Sequence, residues 1–274
     1  MYSKHPIGIF DSGYGGLTVF KSIVKLLPQY DYIYLGDNAR APYGNHSFET
    51  VYQYTSECVN WFFKMGCPLV ILACNTASAK ALRTIQQIDL KSTDSLKRVL
   101  GVIRPTAEVI GNYTTSKHIG VLGTKGTIIS ESYIIEIKKF FPNVVVTQLS
   151  CPMWVPIIEN GEHLSDGADF FVDKYLKELL KKDNQIDTLL LGCTHYPLLI
   201  DKIKKYLPST ISVVTQGDIV ASSLSNYLQR HSEIEKIISK NNTKRFFTTD
   251  ETSDFDIHGE LFFGTEIKSE RIFL

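Results

Sequence analysis

Eight short runs of apolar residues alternate along the chain with longer stretches of helical spacing, and no other feature restricts the fold as much. The runs lie at 7–10, 31–35, 69–72 and 99–103 in the first half, and at 119–122, 144–146, 189–191 and 211–214 in the second. Strands that are nearly all apolar have no face to offer water, so they belong to parallel sheets covered by helices on both sides. The intervening stretches agree. Residues 17–27 have helical spacing and stop at Pro28, and a helix over 47–65 opens at a Ser47 cap and closes at Gly66. The class is α/β.

The two halves also match in detail. The segment from Ile7 through Gly16 aligns with that beginning Ile119-Gly120-Val121-Leu122-Gly123, and Ala73-Cys74-Asn75-Thr76 aligns with Gly192-Cys193-Thr194-His195 at nearly the same offset. Strand-glycine-turn patterns recur in every α/β protein, so coincidence competes with internal duplication. Duplication has a mechanistic consequence. Two similar domains related by a pseudo-twofold axis would bring Cys74 and Cys193 to one cleft from opposite sides. Each cysteine sits just past the C-terminal end of a strand, where open parallel sheets bind ligands. A helix N-terminus after each would favour the thiolate.

Charge and cysteine usage exclude several classes. Lys plus Arg and Asp plus Glu number 29 each, so the formal net charge is zero, which argues against general nucleic-acid binding. The basic run at 202–205 reads as a solvated helix face. The opening residues 1–6 lack the apolar stretch of a signal peptide, and no apolar stretch reaches membrane-spanning length. Five cysteines, odd in number and without a Cys-x-x-Cys pair, argue against a disulfide framework or a zinc site and for a reducing cytoplasm.

Four segments carry candidate chemistry. Asp11-Ser12-Gly13-Tyr14-Gly15-Gly16 follows the first strand, its glycines able to gather N–H groups around an anion and Asp11 and Ser12 projecting into the cleft mouth. A dinucleotide loop is the rival, but the spacing is wrong and Asp11 would repel pyrophosphate. Residues 36–44, with Asp37, Tyr43 and Gly44, read equally as a surface turn or as part of a site. Cys74 and Cys193 are followed at once by polar residues, unlike Cys58, Cys67 and Cys151, which read as packing. His195 on one side and Asp11 on the other could assist the thiols. Glu159 is either a helix-surface residue or the carboxylate that orients His195.

Taken together, residues 10–16, 37–44, 73–78 and 192–198 closely resemble the bacterial glutamate racemase family, and the likeness runs in order along essentially the whole chain. One departure is Pro105-Thr106, where the family usually has glycine after the proline, leaving that turn's conformation open. The resemblance implies two flavodoxin-like α/β domains, 1–103 plus 217–274 and 104–216, with parallel sheets related by a pseudo-twofold and the active site in the cleft between them. It implies inversion of glutamate at Cα with no cofactor, neither pyridoxal phosphate nor metal, to supply D-glutamate for peptidoglycan in the cytoplasm, by a homodimer. It further implies Cys74 and Cys193 as the acid–base pair, with Asp11 assisting Cys74, and Glu159 and His195 assisting Cys193. Ser12, Tyr43 and Gly44 would hold the side-chain carboxylate. Asn75, Thr76 and Thr194 would bind the α-carboxylate and ammonium region, joined by Thr124 and Thr127.

Other readings compete. A thiol hydrolase using Cys193 and His195 leaves Cys74 unexplained. A redox pair of the two cysteines leaves Asp11 and Tyr43 unexplained, and a binding module needs neither thiol. Within the superfamily, an aspartate racemase is the nearest alternative.

Overall fold

The computed structural model describes residues 4–92 and 96–274. Residues 1–3, part of the opening read above for a signal peptide, and 93–95, within the first expected domain, lie outside the described residues. Ten strands are described: β1 (Ile7–Asp11), β2 (Tyr32–Gly36), β3 (Leu69–Leu72), β4 (Arg98–Gly101), β5 (His118–Gly123), β6 (Val145–Ser150), β7 (Thr188–Gly192), β8 (Ser212–Val214), β9 (Lys244–Thr248) and β10 (Ser269–Arg271). They form two sheets, ordered β10-β9-β2-β1-β3-β4 and β6-β5-β7-β8, with every described pairing parallel.

The order β2-β1-β3-β4 in the first sheet recurs as β6-β5-β7-β8 in the second. The repeated topology makes β7 the counterpart of β3, and it extends the sequence matches to the connectivity of the chain. β1, β2, β3 and β7 are buried at every residue, as strands apolar on both faces must be.

The chain reaches the second sheet through the helix Ile103–Val109 and leaves it through the helix Gly217–Arg230, which packs on Leu17–Leu26 of the first. The expected strand at 99–103 is shorter than its apolar run, because residues from Ile103 turn helical. Pro105 therefore sits in the first turn of a helix and not in a loop, at a position whose missing N–H leaves no intrahelical bond unmade. β9 and β10 were not among the expected strands. β9 opens on Lys244-Arg245 and β10 is only Ser269-Glu270-Arg271 at the sheet edge, so neither presents a long apolar run. Among the described residues, no helix is long and apolar enough to cross a membrane.

Candidate active site

The C-terminal ends of β1, β3, β5 and β7 deliver Asp11, Cys74, Thr124 and Cys193 to one region, and both Cys74 and Cys193 line a single cavity there. Strand ends in a parallel sheet leave backbone groups unpaired and hand the chain to a turn, which suits them to hold ligands. The first lobe also lines the cavity with Ser12, Tyr43, Gly44, Asn75 and Thr76, and the second with Thr124, Glu159, Thr194 and His195. Asp11 and Thr127 lie behind this wall, wholly buried.

The two thiols have different surroundings. Cys74 precedes the helix Asn75–Lys80; its Sγ accepts from the Ala77 N–H at 3.4 Å and lies 3.4 Å from Ser12 Oγ. Burial nonetheless pushes the Cys74 thiol up to about 12, reinforced by the negative charge of Asp11 and only partly offset by Ser12 and Ala77. The thiolate expected from the helix terminus is thus outweighed by desolvation. Cys193 Sγ lies 3.9 Å from His195 Nδ1, while His195 Nε2 is 2.9 Å from Glu159 Oε1. Burial alone would depress the imidazolium, but hydrogen bonds and charge from Cys193 and Glu159 prevail and hold His195 up at about 10. The short helix after Cys193 begins at Tyr196, with His195 at its N-cap beside the sulfur. Glu159, which the sequence left between surface and site, meets His195 here.

Asp11 does not project into the cleft mouth. Its Oδ1 accepts from the Gly13 N–H at 3.0 Å and its Oδ2 from Thr194 Oγ1 at 3.5 Å. Burial raises its pKa from 3.8 to about 6, against the lowering influence of His195 and of the Gly13 and Gly16 N–H groups. A pKa raised by folding means the buried carboxylate costs stability above about pH 6 and costs none below 3.8, where it is protonated in both states. Asp11→Asn is therefore expected to gain on the order of 1–3 kcal/mol of unfolding free energy at neutral pH and nothing in acid. Urea denaturation at the two pH values reads this; an unchanged midpoint at neutral pH would remove the burial argument.

Of the glycines of residues 13–16, Gly15 and Gly16 are required by close packing, while the Gly13 and Gly16 N–H groups face the Asp11 carboxylate. A Cβ on Gly15 would stand 2.3 Å from Thr194 Oγ1 and 2.4 Å from His195 Nδ1, and one on Gly16 would stand 2.5 Å from Asp11 Cβ. Tyr43 likewise works differently from a direct side-chain ligand. Its phenol is buried, pushed well above its usual pKa by desolvation, and donates to Asp37. Asp37 also accepts from Arg40 Nε at 2.7 Å and Thr249 Oγ1 at 2.9 Å, which ties the 37–44 loop down and leaves its backbone facing the cavity. Gly44 touches the other lobe, its hypothetical Cβ 2.9 Å from that of Thr124.

Thr76, Thr124 and Thr127 form a hydroxyl cluster across the cleft, with Oγ1 separations of 3.0, 3.1 and 3.5 Å. The sequence reading missed Asn45, Lys125 and Cys151 on the cavity wall. Lys125 lies two residues past the end of β5 and Cys151 directly follows β6, so proximity to a strand end was their one available signal.

The sequence pattern of the family described as Asp/Glu/Hydantoin racemase matches residues 7–224. A glutamate racemase from Sulfurihydrogenibium sp. is 40% identical over 268 residues, covering 97% of this chain and 96% of the relative. The crystal structure of a glutamate racemase isoform from Bacillus anthracis superposes with a TM-score of 0.89 at 34% identity, covering 100% of this chain and 99% of the other. That of the Francisella tularensis glutamate racemase in complex with D-glutamate superposes with a TM-score of 0.86 at 32% identity, over 98% of each chain.

Proposed function

This chain belongs to the Asp/Glu/Hydantoin racemase family, among the glutamate racemases, and is an amino-acid racemase; from that premise we propose that it inverts glutamate at Cα with Cys74 and Cys193 as opposed acid and base. One observation carries the reading: two cysteines at equivalent strand ends of two like-ordered sheets line one cavity. A thiolate on one side takes the Cα proton, and the thiol opposite returns a proton to the other face. No covalent intermediate forms.

The surroundings divide the labour. Cys74 is held as a thiol by burial and by the charge of Asp11, and so stands ready to donate. His195, kept cationic by Glu159 and Cys193, supports negative charge on the Cys193 sulfur. In the reverse direction the two sulfurs exchange roles. Asp11 acts through its charge and through Thr194, and not by touching the Cys74 sulfur, whose bonded neighbours are Ser12 and Ala77.

Ser12 and the backbone N–H groups of Tyr43 and Gly44 hold the side-chain carboxylate in this scheme. Asn75, Thr76, Thr124, Thr127 and Thr194 serve the α-carboxylate and ammonium end. The lobes act as domains 1–103 plus 217–274 and 104–216, working as a cytoplasmic homodimer that supplies D-glutamate for peptidoglycan. The bound D-glutamate of the Francisella tularensis structure supports glutamate as the substrate.

The test runs in deuterated water with L-glutamate, D-glutamate and both aspartate enantiomers side by side. Deuterium at Cα, with loss of optical rotation, is expected for either glutamate enantiomer. Aspartate lacks one methylene, so it leaves donors near Gly44 unpaired, at roughly 1–3 kcal/mol per unmade bond, and should turn over at least about tenfold less efficiently. Equal turnover of aspartate would sink the distal-pocket assignment, and no exchange with glutamate would sink the reaction.

A further inference from the structure

Gln216 belongs to none of the motifs, yet it sits at the junction of both lobes. It follows β8 and precedes the helix Gly217–Arg230 that returns the chain to the first sheet. Its side chain is buried beside those of Asn75, Thr106 and Tyr133. Asn75 Nδ2 donates to Gln216 Oε1 at 2.7 Å, Gln216 Nε2 donates to the Tyr133 hydroxyl oxygen at 2.8 Å, and the Tyr133 hydroxyl donates to Asn75 Oδ1 at 2.5 Å. These bonds run head to tail and close a ring. The remaining hydrogen on Gln216 Nε2 points to Thr106 Oγ1 at 3.0 Å, with the Val102 carbonyl at 3.3 Å, and the Thr106 hydroxyl donates to that same carbonyl at 2.9 Å.

A ring of this kind dictates direction. Turning the Asn75 amide over would set its NH2 against a hydroxyl hydrogen and its oxygen against an acceptor, so two buried bonds would be lost together. Ring members in a dry interior also polarise one another. The contributing elements come from across the molecule. Asn75 follows β3 of the first sheet, Tyr133 lies in the helix Ser132–Phe140 beside the second, and Thr106 and Gln216 mark the outward and return crossings of the chain.

We propose that Gln216 is a positioning residue for Asn75. It holds one Nδ2 hydrogen in the ring and presents the other to the cavity that Asn75 lines, where a substrate carboxylate accepts it. The orientation stands on the ring alone; only the identity of the acceptor rests on the glutamate racemase reading.

Two readouts on the intact protein decide the matter. The first is the side-chain amide resonance pair of Asn75 in isotope-labelled protein. Two distinct hydrogens are expected in the parent, the ring-bonded one exchanging slowly, and its exchange should be at least about tenfold faster in Gln216→Met, which removes both of that side chain's ring bonds. The second is a double-mutant cycle on glutamate turnover. Gln216→Met should lower kcat/KM about tenfold, mainly through KM, yet cause less than about a twofold further loss in an Asn75→Ala background. Tyr133→Phe keeps the aromatic volume and carries both readouts should the methionine variant not fold. Unchanged Asn75 exchange in both variants, or losses that multiply in the Asn75→Ala background, would overturn the role of Gln216. A parent that failed to turn over glutamate while showing the expected Asn75 exchange would overturn the substrate and leave the positioning role standing.

Discussion

Cys74→Ala and Cys193→Ala are each expected to lose racemisation by roughly 10²–10⁴-fold, the span that one positioned acid or base contributes. The loss should be complete in kind, because inversion needs a proton taken from one face and another delivered to the opposite one. A single remaining thiol can still remove a proton, exchange it with solvent and return it to the same face. Each variant should therefore retain slow deuterium exchange at Cα of one glutamate enantiomer only, and the two variants should choose opposite enantiomers. Both cysteines line one cavity of one chain, so mixing the two inactive proteins should not restore activity. Recovery on mixing would point to a site shared between subunits. Exchange of the same enantiomer by both variants would contradict opposed thiols.

A methyl group at Gly15 should be nearly as damaging, although this residue has no side chain to do chemistry. The new Cβ would stand 2.3 Å from Thr194 Oγ1 and 2.4 Å from His195 Nδ1, and real Cβ atoms do not tolerate such distances. His195 cannot simply retreat. Its other nitrogen is committed to Glu159 at 2.9 Å, and its ring stands edge-on against Phe262 with centroids 5.2 Å apart. The displacement must then pass to the imidazole that faces Cys193, and misplacing a catalytic group by about 1 Å costs on the order of 10²-fold in rate. The overpacking should also destabilise the fold by about 1–3 kcal/mol. Gly13→Ala is the matched comparison, since its Cβ would meet Asn38 and Glu159 at 3.6 and 3.9 Å, ordinary contact distances. Similar losses for the two glycine variants would show that the loop is sensitive as a whole and that the approach of Gly15 to His195 is not the reason.

The fold class was legible because its signal is local. A strand buried on both faces must be apolar at every position, and 7–10, 31–35, 69–72 and 189–191 could hardly be anything else in water. Cys74 and Cys193 were legible for the same reason: a polar neighbour directly after a strand-end cysteine is visible within a few residues. β9 and β10 escaped because β9 opens on the half-buried Lys244 and Arg245 and β10 is a three-residue edge strand, so neither shows a continuous apolar run.

What the sequence determined by itself was the alternation of strands and helices, the internal likeness of the halves and the residue types at the strand ends. Only the tertiary structure decided which groups those residues meet. Glu159 and His195 are 36 positions apart and Asn75 and Gln216 are 141, distances over which no local periodicity carries information about a partner. The glycines of residues 13–16 could have served a phosphate or close packing, and the tertiary contacts decided: Thr194 and His195 crowd Gly15, Asp11 and Tyr34 crowd Gly16, and Gly13 has room. Cys74 shows the same division most plainly. Its place before a helix favours a thiolate, but burial, which exists only in the folded chain, raises it as a thiol to about 12.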